Sequence, residues 1–286
     1  MDSSRFLIVG ANGQLGRALQ NKYPDSRALT SSDLDISNSE QIKSFDWSTV
    51  ELIINAAAYT NVDGAETEEG KEAAWSVNAD AVGNLARIAQ EKELTLVHIS
   101  TDYVFDGTKR VHTENETFSP LSVYGKSKAK GDKIVSIAPK HYILRTSWVI
   151  GDGNNFVRTM LGLGEKGINP TVVADQIGRL TFTSELVRAI DHLLTKHSKY
   201  GTYNLSNSGD SVSWAEITRE VFKDAGYDLN VTDTTTAEYF AGKKDIAPRP
   251  LQSTLLLDKI HATGFESRDW REDLKTYINA IQGGKL

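Results

Sequence analysis

At 286 residues, with 39% hydrophobic and 24% charged side chains, the chain is long enough for one large α/β domain or two modest ones. Its net charge of −6 argues against a nucleic-acid binder held by phosphate attraction, and no apolar run approaches the ~20 residues of a membrane helix. The lack of cysteine excludes disulfides, thiolate metal sites and cysteine nucleophiles; with no signal-peptide pattern around Phe6-Leu7-Ile8-Val9, the expected location is the cytoplasm.

Residues 5–9 read as a first strand and 13–22 as the helix it feeds. Residues 26–29 form a weaker second strand, and 51–55 (ELIIN) a third. Residues 66–93 are helical in pattern, with Ala73, Val77, Ala81, Leu85 and Ile88 on one face. A fourth strand over 94–99, a helix over 122–138 and a fifth strand over 141–146 follow. Such alternation means βαβ units and a parallel sheet with helices on both faces, the doubly wound Rossmann arrangement. Past Gly151 the rhythm loosens. Residues 155–164, 184–196, 213–225 (capped by Ser213) and 269–281 read as helices, and 171–173 and 201–205 as strands. Residues 243–253, with Pro248 and Pro250, read as a loop. The expected division is an NAD(P)-binding Rossmann domain over 1–150 and, over 151–286, a mixed α/β part that is mainly a smaller substrate-binding lobe. A ligand cleft between the two follows.

Gly10, Gly13 and Gly16 form G-x-x-G-x-x-G directly after a strand and before a helix. Such a turn lets the backbone approach a pyrophosphate and offers it the helix N–H groups and dipole. At the end of strand two an acid would bond the ribose 2′-hydroxyl and repel a 2′-phosphate. Here the strand ends in Thr30-Ser31, Asp33 and Asp35 come later, and Arg17 follows the third glycine. This favours NADPH, with NADH tolerated and Arg17 reaching the phosphate.

Tyr124-Gly125-Lys126-Ser127-Lys128 puts a phenol and an amine four residues apart, on one helix face. Alone, such a pair is usually a surface pair. Behind a dinucleotide loop it is a catalytic dyad in which Lys128 lowers the phenol's pKa and bonds the nicotinamide ribose, while Tyr124 gives its proton to a carbonyl oxygen. Thr101, ending strand four, sits where ligands of such folds bind and can polarise the same oxygen. Its bland alternative is a cap on the next turn.

Residues 10–16 (GANGQLG), 55–63 (NAAAYTNVD), 100–107 (STDYVFDG), 123–128 (VYGKSK), 145–148 (RTSW), 154–160 (NNFVRTM), 175–178 (DQIG) and Arg249-Pro250 stand in an order that resembles the dTDP-4-dehydrorhamnose reductase family, extended short-chain dehydrogenases/reductases. The resemblance spans nearly the whole chain. It implies NADPH- or NADH-dependent reduction of dTDP-4-dehydro-β-L-rhamnose at C4. It also implies that Gly13, Gln14 and Leu15 lie along the pyrophosphate, Asp35 and Ile36 flank the adenine, and Ala58, Tyr59 and Thr60 line the cofactor's middle. Asp102 and Trp148 would contact the sugar, and Arg249, between two prolines, the substrate's diphosphate. The chain departs from the family at Ile150, where a tyrosine is usual, and at Gln252, where an asparagine is usual. Ala18 stands where magnesium-binding members carry a glutamate at a dimer contact. The resemblance therefore implies no metal, and leaves a homodimer or a fusion with another enzyme of rhamnose synthesis open.

Two rival readings remain. A nucleotide-sugar dehydratase or epimerase is disfavoured because dehydratases follow the threonine with Asp-Glu, and here Asp102 is followed by Tyr103. A non-catalytic regulatory subunit could dispense with Tyr124 and Lys128, and both are present.

Overall fold

The computed structural model of the chain describes residues 1–284. Six parallel strands form the central sheet: β1 (Phe6–Val9), β2 (Arg27–Leu29), β3 (Leu52–Asn55), β4 (Thr95–Thr101), β5 (His141–Thr146) and β10 (Gly201–Asn204). Their order is 2-1-3-4-5-10. The chain runs from β1 to β2 on one side, then returns to place β3 on the other. The crevice beyond the carboxyl ends of β1 and β3 is thus the switch point, where such sheets bind ligands. Gly10 follows β1 there, and Ala56 to Tyr59 follow β3.

Helices cover both faces. On one, α1 (Gln14–Lys22), α7 (Thr183–Thr195) and α10 (Asp258–His261) bury Leu19, Leu186, Ile190 and Ile260 against Ile8, Ile54 and Leu144. On the other, α2 (Ser39–Ser44), α4 (Ala81–Glu91) and α5 (Val123–Val135) bury Ile42, Leu85, Ile88 and Val135 against Leu7, Ile53 and Leu96. Strands apolar on both faces are what a sheet covered twice requires. A third core lies in the C-terminal lobe, where α6 (Phe156–Glu165), α8 (Trp214–Ala225) and α11 (Trp270–Gln282) enclose Val157, Leu161, Val221, Trp270 and Leu274. Short ladders complete the lobe: β6 (Val149–Ile150) with β9 (Thr181–Phe182), β7 (Thr171–Val173) with β12 (Thr232–Thr234), and β8 (Ile177–Gly178) with β11 (Val212–Ser213), beside the one-turn helix α9 (Thr236–Tyr239).

Elements beyond the boundary expected at residue 150 join the first core: α7, β10 and α10 return to it, and β10 pairs with β5 from Gly201↔Tyr142 to Asn204↔Arg145. One expectation is corrected. The helix read over 66–93 is α3 (Glu68–Trp75), a π-helical turn Ser76–Asp80, and α4. The π-helical turn carries Asn78, and such turns are frequent at functional sites. Among the described residues no helix is long and apolar enough to cross a membrane.

Candidate active site

The glycine turn is built by close approach. Gly10 has φ +83°, and its N–H and that of Ala11 both donate to the Leu29 carbonyl at 3.1 Å. A Cβ on Gly16 would clash with the Gly10 carbonyl, so Gly16 lets α1 start hard against the turn. Gly13 differs. A Cβ there would meet only the Gly10 carbonyl, at 3.3 Å, so its other side is open. Gly13 is also the N-cap of α1 without a capping side chain, which leaves the N–H groups of Gln14, Leu15 and Gly16 for an anion. This cradle fits a dinucleotide pyrophosphate.

The cradle opens into a groove of about 360 Å³ over the sheet's carboxyl edge, lined by Gly10, Gly13, Thr30, Ser31, Asp35 and Ile36 on one side and Ala58, Tyr59 and Val77 on the other. Asp35 caps its own turn through Ser37, with Oδ1 accepting from the backbone N–H at 2.9 Å. Thr60 is exposed beyond the groove's lining. Leu15 is in the core, so it can meet a pyrophosphate only through its backbone N–H. Arg17 faces elsewhere: its guanidinium bonds the carbonyls of Asn12 and Asp152 and, at 3.1 Å, the Asp152 carboxylate. With Gln14 and Ala18 it lines a separate cavity of about 990 Å³ between α1, α7 and α11. The Arg17 guanidinium, expected to reach a 2′-phosphate, is thus held by Asp152 and lies outside the lining of the groove.

Thr101, Tyr124 and Lys128 converge where β4 ends and α5 begins. Ser122 caps α5 by accepting from the Gly125 N–H, and Glu66 accepts from the Val123 N–H at 2.8 Å. Gly125 lets the Tyr103 carbonyl lie against α5, where a Cβ would clash. Tyr124 and Tyr103 rings meet edge to face at 5.5 Å. Thr101 Oγ1 accepts from the Tyr103 N–H at 3.2 Å, so the capping role and the site role fall on one hydroxyl.

Lys128 Nζ donates to the Ile99 carbonyl at 2.7 Å. Burial pushes this amine down to about 8, opposed by nearby Asp132. Asp132 in turn receives the Arg145 guanidinium at 2.9 Å. Burial also raises the Tyr124 phenol above its ordinary value, the Thr101 hydroxyl opposing. The expected lowering of that phenol by the ammonium is thus reversed here: burial and the nearby Asp102 and Asp132 raise it, and Lys128 donates to the Ile99 carbonyl. A protonated phenol is the form a proton donor needs.

Asn78, passed over in the sequence, clamps the site. Its side chain accepts from the Tyr59 N–H at 2.9 Å and donates to the Tyr59 carbonyl and to Ser127 Oγ, both at 3.1 Å. It thereby ties the groove wall to the catalytic helix. The available signal was an asparagine inside an otherwise apolar helical face. Trp148, two residues beyond β5, has φ +47° and stacks on Trp214 with ring centroids 3.7 Å apart. Asp102 is buried beside Thr101. Arg249 pairs with Asp63 at 2.8 Å. Among the described residues no three His, Asp or Glu side chains cluster as metal ligands.

A dinucleotide cradle at the switch point, with a threonine, a tyrosine and a lysine converging at the next strand end, defines a short-chain dehydrogenase/reductase. The family described as RmlD substrate binding domain matches residues 4–282, and the chain belongs to it. A dTDP-4-dehydrorhamnose reductase of Aggregatibacter actinomycetemcomitans is 40% identical over 293 residues, covering 95% of this chain and 97% of its own. The crystal structure of a dTDP-4-dehydrorhamnose reductase from Clostridium acetobutylicum superposes with a TM-score of 0.89 at 39% identity, over 97% of this chain and 99% of that one. That of the Bacillus anthracis reductase, in complex with NADP, gives 0.87 at 37% identity, over 97% and 98%.

Proposed function

We propose that this chain reduces the C4 ketone of dTDP-4-dehydro-β-L-rhamnose to dTDP-β-L-rhamnose, with NADPH as the favoured reductant and NADH accepted. The observation that carries the reading is the convergence of Thr101, Tyr124 and Lys128 beside a groove shaped for a dinucleotide. Gly10, Gly13 and the first N–H groups of α1 hold the pyrophosphate, Asp35 and Ile36 flank the adenine, and Ala58 and Tyr59 line the middle. The bound nicotinamide supplies the hydride to the carbonyl carbon. Tyr124 gives its phenolic proton to the carbonyl oxygen, and Thr101 polarises that oxygen. Lys128 bonds the nicotinamide ribose and stabilises the phenolate left behind. Trp148 and Asp102 meet the sugar, and Arg249 the diphosphate. No step in this scheme draws on a metal. We place the reaction in the cytoplasm, in keeping with a cysteine-free chain; whether the chain acts as a homodimer or within a fusion is read by mass measurement on the native protein.

The test is NADPH oxidation with the dTDP-4-keto sugar, the product identified by NMR. Turnover to dTDP-β-L-rhamnose is the expected result. A related reductase is named for dTDP-4-keto-6-deoxy-D-glucose. Preference for that sugar would replace the substrate, and no turnover of either would favour the regulatory reading.

A further inference from the structure

We propose that Asp102 is a proton-gated positioning residue, whose carboxyl decides whether the single hydroxyl proton of Thr101 points inward or at the ketone oxygen. The inference rests on the reading of Thr101 and Tyr124 as the pair that receives that oxygen.

A threonine hydroxyl has one proton and two lone pairs. One lone pair of Thr101 is taken by the Tyr103 N–H at 3.2 Å. Its proton goes to Asp102 Oδ1 at 3.0 Å. An ionised carboxylate can only accept, so while Asp102 is ionised Thr101 has nothing to donate to substrate. Its remaining lone pair then faces the lone pairs of the ketone. When the Asp102 carboxyl carries a proton, the bond reverses. Asp102 donates to Thr101 Oγ1, both lone pairs are filled, and the hydroxyl proton is released to the ketone oxygen. Tyr124 donates to the same oxygen, so two donors meet the developing charge in place of one.

The surroundings favour the protonated form. Asp102 is 2% exposed, and its Oδ2 has no hydrogen-bond partner. A buried carboxylate with an idle oxygen is costly, whereas a carboxylic acid is much less so. The groups that face it are the Thr101 hydroxyl from β4, the Tyr124 phenol from α5, the Tyr103 phenol of its own turn, the Ser253 hydroxyl, and His112. The Ser253 and Thr101 hydroxyls and the Asp102 backbone N–H favour the anion as donors, and His112 favours it by charge, but burial outweighs them. Beyond Tyr103 lie Arg249 and Asp63, paired with each other. Burial raises Asp102 to about 6, within reach of ordinary working pH.

The experiment compares kcat for keto-sugar reduction at saturating NADPH, from below to well above pH 6, in wild type, Asp102→Asn and Thr101→Val. The asparagine amide can donate to Thr101 Oγ1 at every pH, as the protonated acid does. Wild type should lose up to about tenfold in kcat per pH unit above the Asp102 midpoint and level off at the rate that Tyr124 alone supports. Asp102→Asn should lose that decline and hold one rate across the range, because its amide donates to Thr101 at every pH. Thr101→Val should be slower throughout and also lose it, because the carboxyl then has no hydroxyl to redirect. A decline centred near pH 6 that persists in either variant overturns the inference; a fall set by Lys128 lies higher, near 8, and is common to all three enzymes. Should Asp102→Asn not fold, Thr101→Val alone decides. A failure of the underlying reading is seen separately, as turnover that survives Tyr124→Phe.

Discussion

The guanidinium of Arg249 and the carboxylate of Asp63 meet at 2.8 Å although 186 residues separate them. Asp63 also accepts from the Ala247 N–H at 3.0 Å, and Arg249 donates to the Ala247 carbonyl while lying over the Phe240 ring. One carboxylate from the groove side of the Rossmann sheet therefore fastens the Pro248–Pro250 loop down. Gly107, at the end of the active-site turn, packs directly on Pro250. The loop is thus pinned beside the catalytic residues, with a cation at its centre.

That cation should be exchanged between Asp63 and the substrate's diphosphate. Arg249→Ala is expected to raise KM for the dTDP-sugar by more than about tenfold, if one charge-assisted bond of ~1.5–3 kcal/mol is lost. The Kd for NADPH should hardly change. Steady-state kinetics and cofactor titration check this; an unchanged sugar KM would place the diphosphate elsewhere.

Tyr124→Phe removes the proton donor while keeping the ring that packs on Tyr103. Turnover should fall by about 10²- to 10⁴-fold with cofactor affinity nearly intact. Lys128→Met should lose turnover and cofactor affinity together, since the amine serves both. Single-turnover rates and fluorescence titration separate the two patterns. Near wild-type kcat in Tyr124→Phe would end the assignment.

Gly16 and Gly13 should behave differently. Gly16→Ala forces a methyl into the Gly10 carbonyl and should destabilise the fold by about 1–3 kcal/mol. Gly13→Ala has room on the protein side, so its Tm should stay close to wild type while NADPH binding weakens. Thermal melts with and without NADPH distinguish these. Equal destabilisation by both would mean that Gly13 serves the turn and not the ligand.

Asp102 should also leave a mark on stability. Its folded-state value is raised from 3.8 to about 6, so the folded chain holds a proton that the unfolded chain releases between those values. That contribution is fully present below about pH 4 and is lost as pH rises through about 6. A displacement of about two units corresponds to roughly 3 kcal/mol. Asp102→Asn, with no charge to bury, should therefore gain on wild type as pH rises across this window, and hold a constant advantage above it. Denaturant melts at several pH values measure the difference; a pH-independent offset would mean that Asp102 is not raised.

Short-range features were legible in the sequence. Strands one, three, four and five stand out as largely apolar runs, and Ser213 caps α8 as expected, in a capping box with Glu216. Tyr124 and Lys128 share a helix face because four residues make about one turn. What spacing could not convey is burial. It reversed the expected direction for the phenol, and it left Lys128 bonded to a strand carbonyl. Long-range pairing was equally hidden. Nothing near Arg17 in sequence announces Asp152, and nothing near Arg249 announces Asp63. The two-residue ladders of the C-terminal lobe are too short to show a period of two.

The late arrival of β10 bears on how the chain must be made. Until Gly201–Asn204 emerges, β5 is a bare outer strand with unpaired backbone groups, an edge that invites pairing with other chains. The dinucleotide half, though its five strands are complete by Thr146, cannot finish on its own during synthesis at the ribosome. Nascent chains halted shortly after Thr146 should be cut readily by protease, and resistance should appear only once about residue 204 has cleared the exit tunnel. An excised fragment ending near residue 150 should associate rather than behave as a free-standing cofactor-binding module.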